Sequence, residues 1–308
     1  MIKQIDFCYR VYGDNVLECE LFIDWLKQTS LSDFKFIGEI GPADRPILIF
    51  NDVSENKTFG FHLCPFYGGT NKNIWPTNQL DGIFNEKPDV LLVKVDENNK
   101  ESSPILVAEF DDALQAGNQA WQRARRSVDA VKHGIPYFYI LPLIGWERDS
   151  NGKSLKNPRY QNAGITLGQL TLSSYYGTPS LQIYKHTPWD SLAFEGGYAI
   201  PENFYTFTSL NSAIKYASFL IRNSAYGTND NLSTLPLLES MIQEMFCVAK
   251  TYSDFSKTRF TIHHAHDVLN KNNLVKSSNQ LASDLLNKTH TKNNLRLDSI
   301  SESHFFSN

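Results

Sequence analysis

The apolar positions of this chain fall into short runs separated by polar breaks. Residues 90–95 (VLLVKV) and 104–110 (PILVAEF) are brief, rich in β-branched residues and bounded by turn formers, which predicts two buried strands joined by the polar connection 96–103. Residues 135–141 (IPYFYIL) predict a third strand. Residues 47–51 and 58–63 predict two more, split by the polar turn 54–57. A different spacing governs 16–27 (VLECELFIDWLK), which predicts a helix too apolar to lie loosely on a surface. Gly13-Asp14-Asn15 stands before it, and Asp14 or Asn15 can cap its first turn. Residues 113–133 predict a second helix, with Gly134 as its stop. Further along, 165–176 predicts a helix and 181–184 a short strand. After about residue 190 the strand signal fades, and 210–222 and 235–251 carry helical periodicity. The stretch from about residue 270 is rich in Asn, Ser and Lys and is amphipathic at most. Alternating strands and helices followed by helices alone predict an α/β protein. Its mixed sheet is flanked by helices, and its C-terminal part is mainly helical.

Composition narrows the classes. Hydrophobic residues make up 41% and charged residues 20% of the 308, ample for a core, which excludes a wholly disordered or collagen-like chain. No uncharged apolar run reaches the ~18 residues of a membrane span. The first residues show no basic segment followed by an apolar one, so no secretory signal is expected. The four cysteines (Cys8, Cys19, Cys64, Cys247) are far apart with no CxxC pair. That argues against a disulfide framework or a structural zinc and fits a reducing cytoplasm. The formal charge of −4 is not that of a protein that coats nucleic acid. The charge is uneven: the first half carries the acidic excess, the second a mild basic one. That suits a carboxylate-rich catalytic part and a separate part that meets phosphates.

The candidate chemistry lies at the ends of the first two strands named above. Asp89 opens one; Glu109 and Asp111 close the other, and i and i+2 on a strand share a face. If the strands pair as a hairpin, the start of one lies beside the end of its partner. Three carboxylates then converge, and they repel unless protonated or bridged by a cation. Mg²⁺, which takes oxygen ligands, is the economical resolution. The plain alternative is a set of hairpin-end acids facing solvent. In a cluster of like charges, removing one acid by Asp89→Ala or Glu109→Ala is not expected to cost stability.

These residues carry a resemblance. A helix with Glu precedes Pro88-Asp89 and a strand. A turn then leads to a strand ending Glu109-Phe110-Asp111, a helix with glutamines, and a strand opened by Gly-Ile-Pro-Tyr. The order resembles the PD-(D/E)XK nuclease superfamily, the restriction-endonuclease-like fold, over residues 10–145 and weakly to about 186. The resemblance implies a nuclease domain over 1–190 and a mainly helical target-recognition or dimerisation region over 191–308. It implies that Asp89 and Glu109 bind the catalytic metal, Mg²⁺ with Mn²⁺ as a substitute, and that a Glu of the first helix joins them. Glu18 is preferred and Glu20 is the alternative, because two residues apart on a helix point about 200° apart. The family's lysine position is Asp111 here, a departure; some restriction endonucleases place an acid there and remain active, so the resemblance keeps Asp111 as a catalytic residue, ligand or base, beside Asp89 and Glu109. Lys94 on the neighbouring strand is a substitute, although a solvated strand lysine is the plainer reading.

The helix after Asp111 presents Gln115, Gln119 and Gln122 at i, i+4 and i+7 on one face. The resemblance favours Gln119 and Gln122 near the metal or DNA. Arg123 and Arg126 could meet phosphate, although a solvated helix face is the plainer reading for both. The implied activity is a Mg²⁺-dependent DNA endonuclease of restriction or phage-defence type, with DNA as partner, no membrane, and a homodimer allowed. The rival is a non-catalytic DNA- or protein-binding protein that keeps a decayed nuclease fold. Base recognition is expected in the second half or in the loop 66–79. The cluster His263, His264, His266 and Asp267 is set aside as a metal site, because adjacent histidines do not readily share one face and no cysteine supports them. There is no P-loop and no GxGxxG.

Overall fold

The computed structural model describes residues 4–28, 33–65, 84, 87–96, 98, 101–111, 118–145, 159–187, 190–195, 197, 200–201, 203–227 and 232–253. The loop 66–79, Gln115, the histidine cluster 263–267 and the Asn-rich stretch from 270 lie outside the described residues.

The chain runs β1 (Phe7–Gly13), α1 (Val16–Leu26), β2 (Phe34–Ile40), β3 (Ile47–Asp52), β4 (Lys57–Pro65), β5 (Val90–Val95) and β6 (Glu101–Phe110). It continues through α2 (Asn118–Lys132), β7 (Tyr137–Pro142), β8 (Ile144–Gly145), β9 (Arg159–Tyr160), α3 (Ala163–Tyr176) and β10 (Ser180–Lys185). It ends in α4 (Asp190–Glu195), α5 (Ser209–Tyr226) and α6 (Leu235–Ser253). Eight strands form one mixed sheet in the order β10-β7-β6-β5-β1-β4-β3-β2. The class expected from the apolar pattern, α/β with a mixed sheet flanked by helices, is the observed one.

The predicted hairpin forms: β5 and β6 pair antiparallel, with Val90 opposite Ala108. Helix α2 then crosses over, so that β7 lies parallel to β6 with Glu109 opposite Tyr139. In the same way α3 leads from β7 toward its parallel partner β10, with Tyr139 opposite Gln182. Paired residues project to one face, so Glu109, Tyr139 and Gln182 share it. Arg126 of α2 meets Glu109 there and Thr166 of α3 meets Gln182. The opposite face takes α1 and α5, through Trp25 against Phe110 and Tyr216 against Phe138. Helix α6 packs against α3, α5 and β10.

One hydrophobic core runs from Tyr9 and Phe22 through Leu92, Val107 and Phe138 to Ile214, Met241 and Tyr252. Helices α5 and α6, C-terminal to residue 190, therefore share the core of the sheet. No described helix is long and apolar enough to cross a membrane.

Sequence reasoning missed the middle of the sheet. β1 lies between β5, to which it is antiparallel, and β4, to which it is parallel. Its pattern, FCYRVYG, places Arg10 inside a short segment at the start of the chain, which hides the strand from a search for apolar runs. Gly13 closes it opposite Val90. A Cβ there would stand 2.8 Å from Cys19 Sγ and 2.9 Å from the Asp89 carbonyl oxygen. Only glycine lets the strand end, α1 and the entrance of β5 come this close.

Candidate functional site

The site forms where β5 begins and where β6 runs out beside β7. Asp89 and Glu109 are locked by reciprocal bonds between backbone and side chain. The Phe110 amide donates to Asp89 Oδ2 at 2.9 Å, and the Asp89 amide donates to Glu109 Oε1 at 3.2 Å. Side-chain oxygens thus continue the hairpin ladder where its backbone pairing stops. Glu109 and Asp111 are buried, so they are not hairpin-end acids facing solvent.

Two guanidinium groups from α2 enter this cluster. Arg126 Nη1 lies 2.7 Å from Glu109 Oε2 and 3.4 Å from Asp89 Oδ1. Arg123 Nη1 donates to Asp111 Oδ2 at 3.1 Å, and its Nε stands 3.7 Å from Glu109 Oε2. The two arginines are three residues apart, one above the other on the helix. They turn inward to the acids, which corrects the expectation of a solvated helix face. A long basic side chain at helical spacing looks the same in sequence whether it faces water or a buried acid. Only the packing of α2 over the end of β6 decides it.

Tyr139 and Tyr137 complete the cluster, and sequence reasoning did not name them. The Tyr139 hydroxyl donates to Asp111 Oδ2 at 2.7 Å, and its ring lies under Arg123 with the guanidinium carbon 5.6 Å from the centroid. The Tyr137 hydroxyl donates to the Arg123 carbonyl oxygen at 3.0 Å. The available signal was the alternation in Tyr137-Phe138-Tyr139. Two hydroxyls on one face of a buried strand need polar partners.

The electrostatics follow from burial. Burial and the neighbouring Asp89 charge push the Glu109 carboxyl well above its usual range, against the pull of Arg126 and Arg123. Burial opposes the charge on both arginines, but Tyr139 and then Asp111, Asp89 and Glu109 hold Arg123, and Glu109 and Asp89 hold Arg126, above the usual guanidinium value.

Glu18 approaches from α1. Asn15 Oδ1 caps the helix by accepting from the Glu18 amide at 3.0 Å, and Glu18 Oε2 accepts from the Asp14 amide at 3.0 Å. Burial, then the charges of Asp89 and Asp14, raise the Glu18 carboxyl above its usual range. Glu18 thus lies within electrostatic reach of Asp89. Glu20, also half-buried, lies two residues further along the helix.

Lys94 is not in the site. It sits four residues into β5, roughly 13 Å from Val90's end at the usual strand rise, opposite Tyr9 and Ser103. Its Nζ donates to the Ser224 carbonyl oxygen on α5. It supplies no replacement for the lysine that the nuclease pattern places where Asp111 stands. Gln119 and Gln122 belong to the backbone of α2, but their side chains lie outside the described residues.

The donor set is of a kind that a divalent cation takes. Asp89 and Glu109 address a single point, now held by Arg126 Nη1, and offer only oxygens. Oxygen ligands suit Mg²⁺ or Mn²⁺ rather than zinc. No group of three or more His, Cys, Asp or Glu is arranged as a metal cage among the described residues. Mg²⁺ does not need one, because it is commonly held by one or two carboxylates, waters and substrate phosphates. The residues fit such a cation on one condition, that the guanidinium yields its place.

No model of a known protein family, no curated protein and no solved structure matches this chain. The case for its function rests on its own residues.

Proposed function

We propose that the protein is a divalent-metal-dependent phosphodiester hydrolase, with DNA as the substrate that the nuclease resemblance adds. The observation that carries this reading is the convergence of Asp89 and Glu109, from the adjoining ends of two antiparallel strands inside the sheet, on one cation-bearing point. In this reading Asp89 and Glu109 hold the metal, Mg²⁺ or Mn²⁺, and Glu18 adds charge from the side of α1. The chemistry supplied by a bound cation there is activation of water and screening of charge on the phosphate oxygens.

The chain's own residues do the rest. Asp111 and Tyr139 hold Arg123 in one orientation, where its planar fork suits a phosphate oxygen. Asp111 Oδ2 already accepts from both Arg123 and Tyr139. Asp111 thus acts through Arg123 as a positioning residue, and the reading asks for no lysine at its place. Buried Tyr137 fixes the Arg123 backbone and so the register of α2 over the acids.

A second reading has its own support. Arg123 and Arg126 neutralise the acids without any metal, as a non-catalytic protein keeping this arrangement would require. Nicking of supercoiled plasmid by the full chain, in Mg²⁺ and in chelator, separates the two. Nicking that depends on the cation is the expected result. No nicking in Mg²⁺ or Mn²⁺ on any plasmid tested removes the hydrolase reading and leaves the second.

A further inference from the structure

The two acids expected to hold a metal are already bridged by a guanidinium. Arg126 Nη1 is 2.7 Å from Glu109 Oε2 and 3.4 Å from Asp89 Oδ1. The Arg126 side chain is 21% exposed, whereas that of Glu109 is wholly buried. The acid cannot move away, but the guanidinium has an opening to solvent. Arg123, three residues earlier on α2, is held by Asp111 and lies over Tyr139. Its Nε also stands 3.7 Å from Glu109 Oε2, but it is Arg126 that reaches both Asp89 and Glu109.

Mg²⁺ binds carboxylate oxygens at about 2.0–2.1 Å and tolerates little distortion. A cation drawing on Glu109 Oε2 and Asp89 Oδ1 would stand against the guanidinium that uses the same atoms. Two positive groups so close in a partly buried site repel strongly. The metal and Arg126 therefore exclude each other.

We propose that Arg126 is a built-in counter-cation that keeps the Asp89–Glu109 pair closed and that a divalent metal must displace, so that Arg126 sets the metal affinity of the site. The proposal rests on the metal-dependent reading above. The displaced guanidinium moves toward its exposed side.

The test is calorimetric titration of the full chain with Mn²⁺ alone, without DNA. It compares the wild type, Arg126→Met and the double variant Asp89→Asn/Arg126→Met. Methionine keeps apolar bulk on α2 and removes the charge. Arg126→Met is expected to bind Mn²⁺ at least about tenfold more tightly than the wild type, because the competing charge is gone. The double variant is expected to lose that binding. Arg126→Gln serves as a second variant should the methionine chain fail to fold, and the same tightening is expected. Equal or weaker Mn²⁺ binding by the folded variants overturns the proposal while leaving the metal-dependent reading in place. No Mn²⁺ binding by the wild type or any variant overturns both.

Discussion

Each acid of the cluster has a different job, and single substitutions separate them. Sequence alone makes the removal of one of several like charges harmless, but the geometry reverses that expectation for Asp89. Its Oδ2 is the acceptor for the Phe110 amide, and its Oδ1 is shared with Arg126. Asp89→Ala leaves a partly buried donor unsatisfied and is expected to cost about 1–3 kcal/mol in thermal or denaturant unfolding. Asp89→Asn keeps an acceptor and is expected to cost less. A stability for Asp89→Ala equal to or above the wild type would show that these bonds do not matter. Glu109 behaves in the opposite sense. Burial and Asp89 raise its carboxyl in the folded chain. Its contribution to stability is therefore fully present below the ordinary glutamate range and is lost as pH rises through the folded value. In metal-free buffer, unfolding free energy is expected to fall over that interval, and Glu109→Gln is expected to flatten the fall. An identical pH slope in both proteins would contradict the assignment. Asp89 and Glu109 were legible in the sequence because strand ends bounded by turns fix where side chains converge. The two guanidiniums and Tyr139 were not, because a helix face gives no sign of which acid it will cover.

At the scale of elements, the site depends on how closely β1, α1 and the start of β5 approach. The hairpin β5–β6, the crossover α2 and strand β7 were readable from local pattern, since each is a short apolar run or a periodic helix between turn residues. Strand β1 was not. Its pairing, parallel to β4 and antiparallel to β5, is set by partners some fifty or more residues away, which no local pattern records. Gly13 is the point where this non-local packing is tightest. Gly13→Ala would force a Cβ to within 2.9 Å of the Asp89 carbonyl oxygen and 2.8 Å of Cys19 Sγ. The expected cost is about 1–3 kcal/mol from overpacking, together with weaker Mn²⁺ binding as the Asp89 backbone shifts. Unchanged stability and unchanged Mn²⁺ affinity in this variant would mean that β1 does not set the position of Asp89.

Over the whole molecule, α5 and α6 belong to the same core as the sheet, and a polar clasp fastens α5 to the β3–β4 turn. Buried Asp52 accepts from Arg222 Nε at 3.0 Å, Tyr226 at 2.9 Å and the Ser54 hydroxyl at 2.7 Å. Arg222 also reaches Asp33 at 2.8 Å. The clasp has its own pH sense. Burial would raise the Asp52 carboxyl, but Ser54, Tyr226 and Arg222 together hold it below its usual value. Its contribution is present above the ordinary aspartate range and is lost as pH falls through the folded value. Arg222→Ala is therefore expected to lower stability at neutral pH and to lose less on acidification than the wild type. Equal acid sensitivity would remove Asp52 from the account. Residues 1–190 alone would expose the face that α5 covers, including Phe138 and Tyr9. This truncation is expected to lack a cooperative melt, and a sharp transition at the wild-type temperature would contradict the shared core. The helical periodicity of both segments was legible, but their role as part of the core was not, because an apolar helix face does not name what it packs against.

The central claim is that Asp89 and Glu109 hold the cation on which phosphodiester cleavage depends. The most direct test is the initial rate of supercoiled-plasmid nicking in Mg²⁺ by the wild type and by Glu109→Gln, both shown to be folded by near-ultraviolet circular dichroism. The account predicts steady nicking by the wild type, none in chelator, and a rate at background for Glu109→Gln, which keeps the shape of the side chain and removes its charge. A Glu109→Gln protein that nicks at the wild-type rate would contradict it.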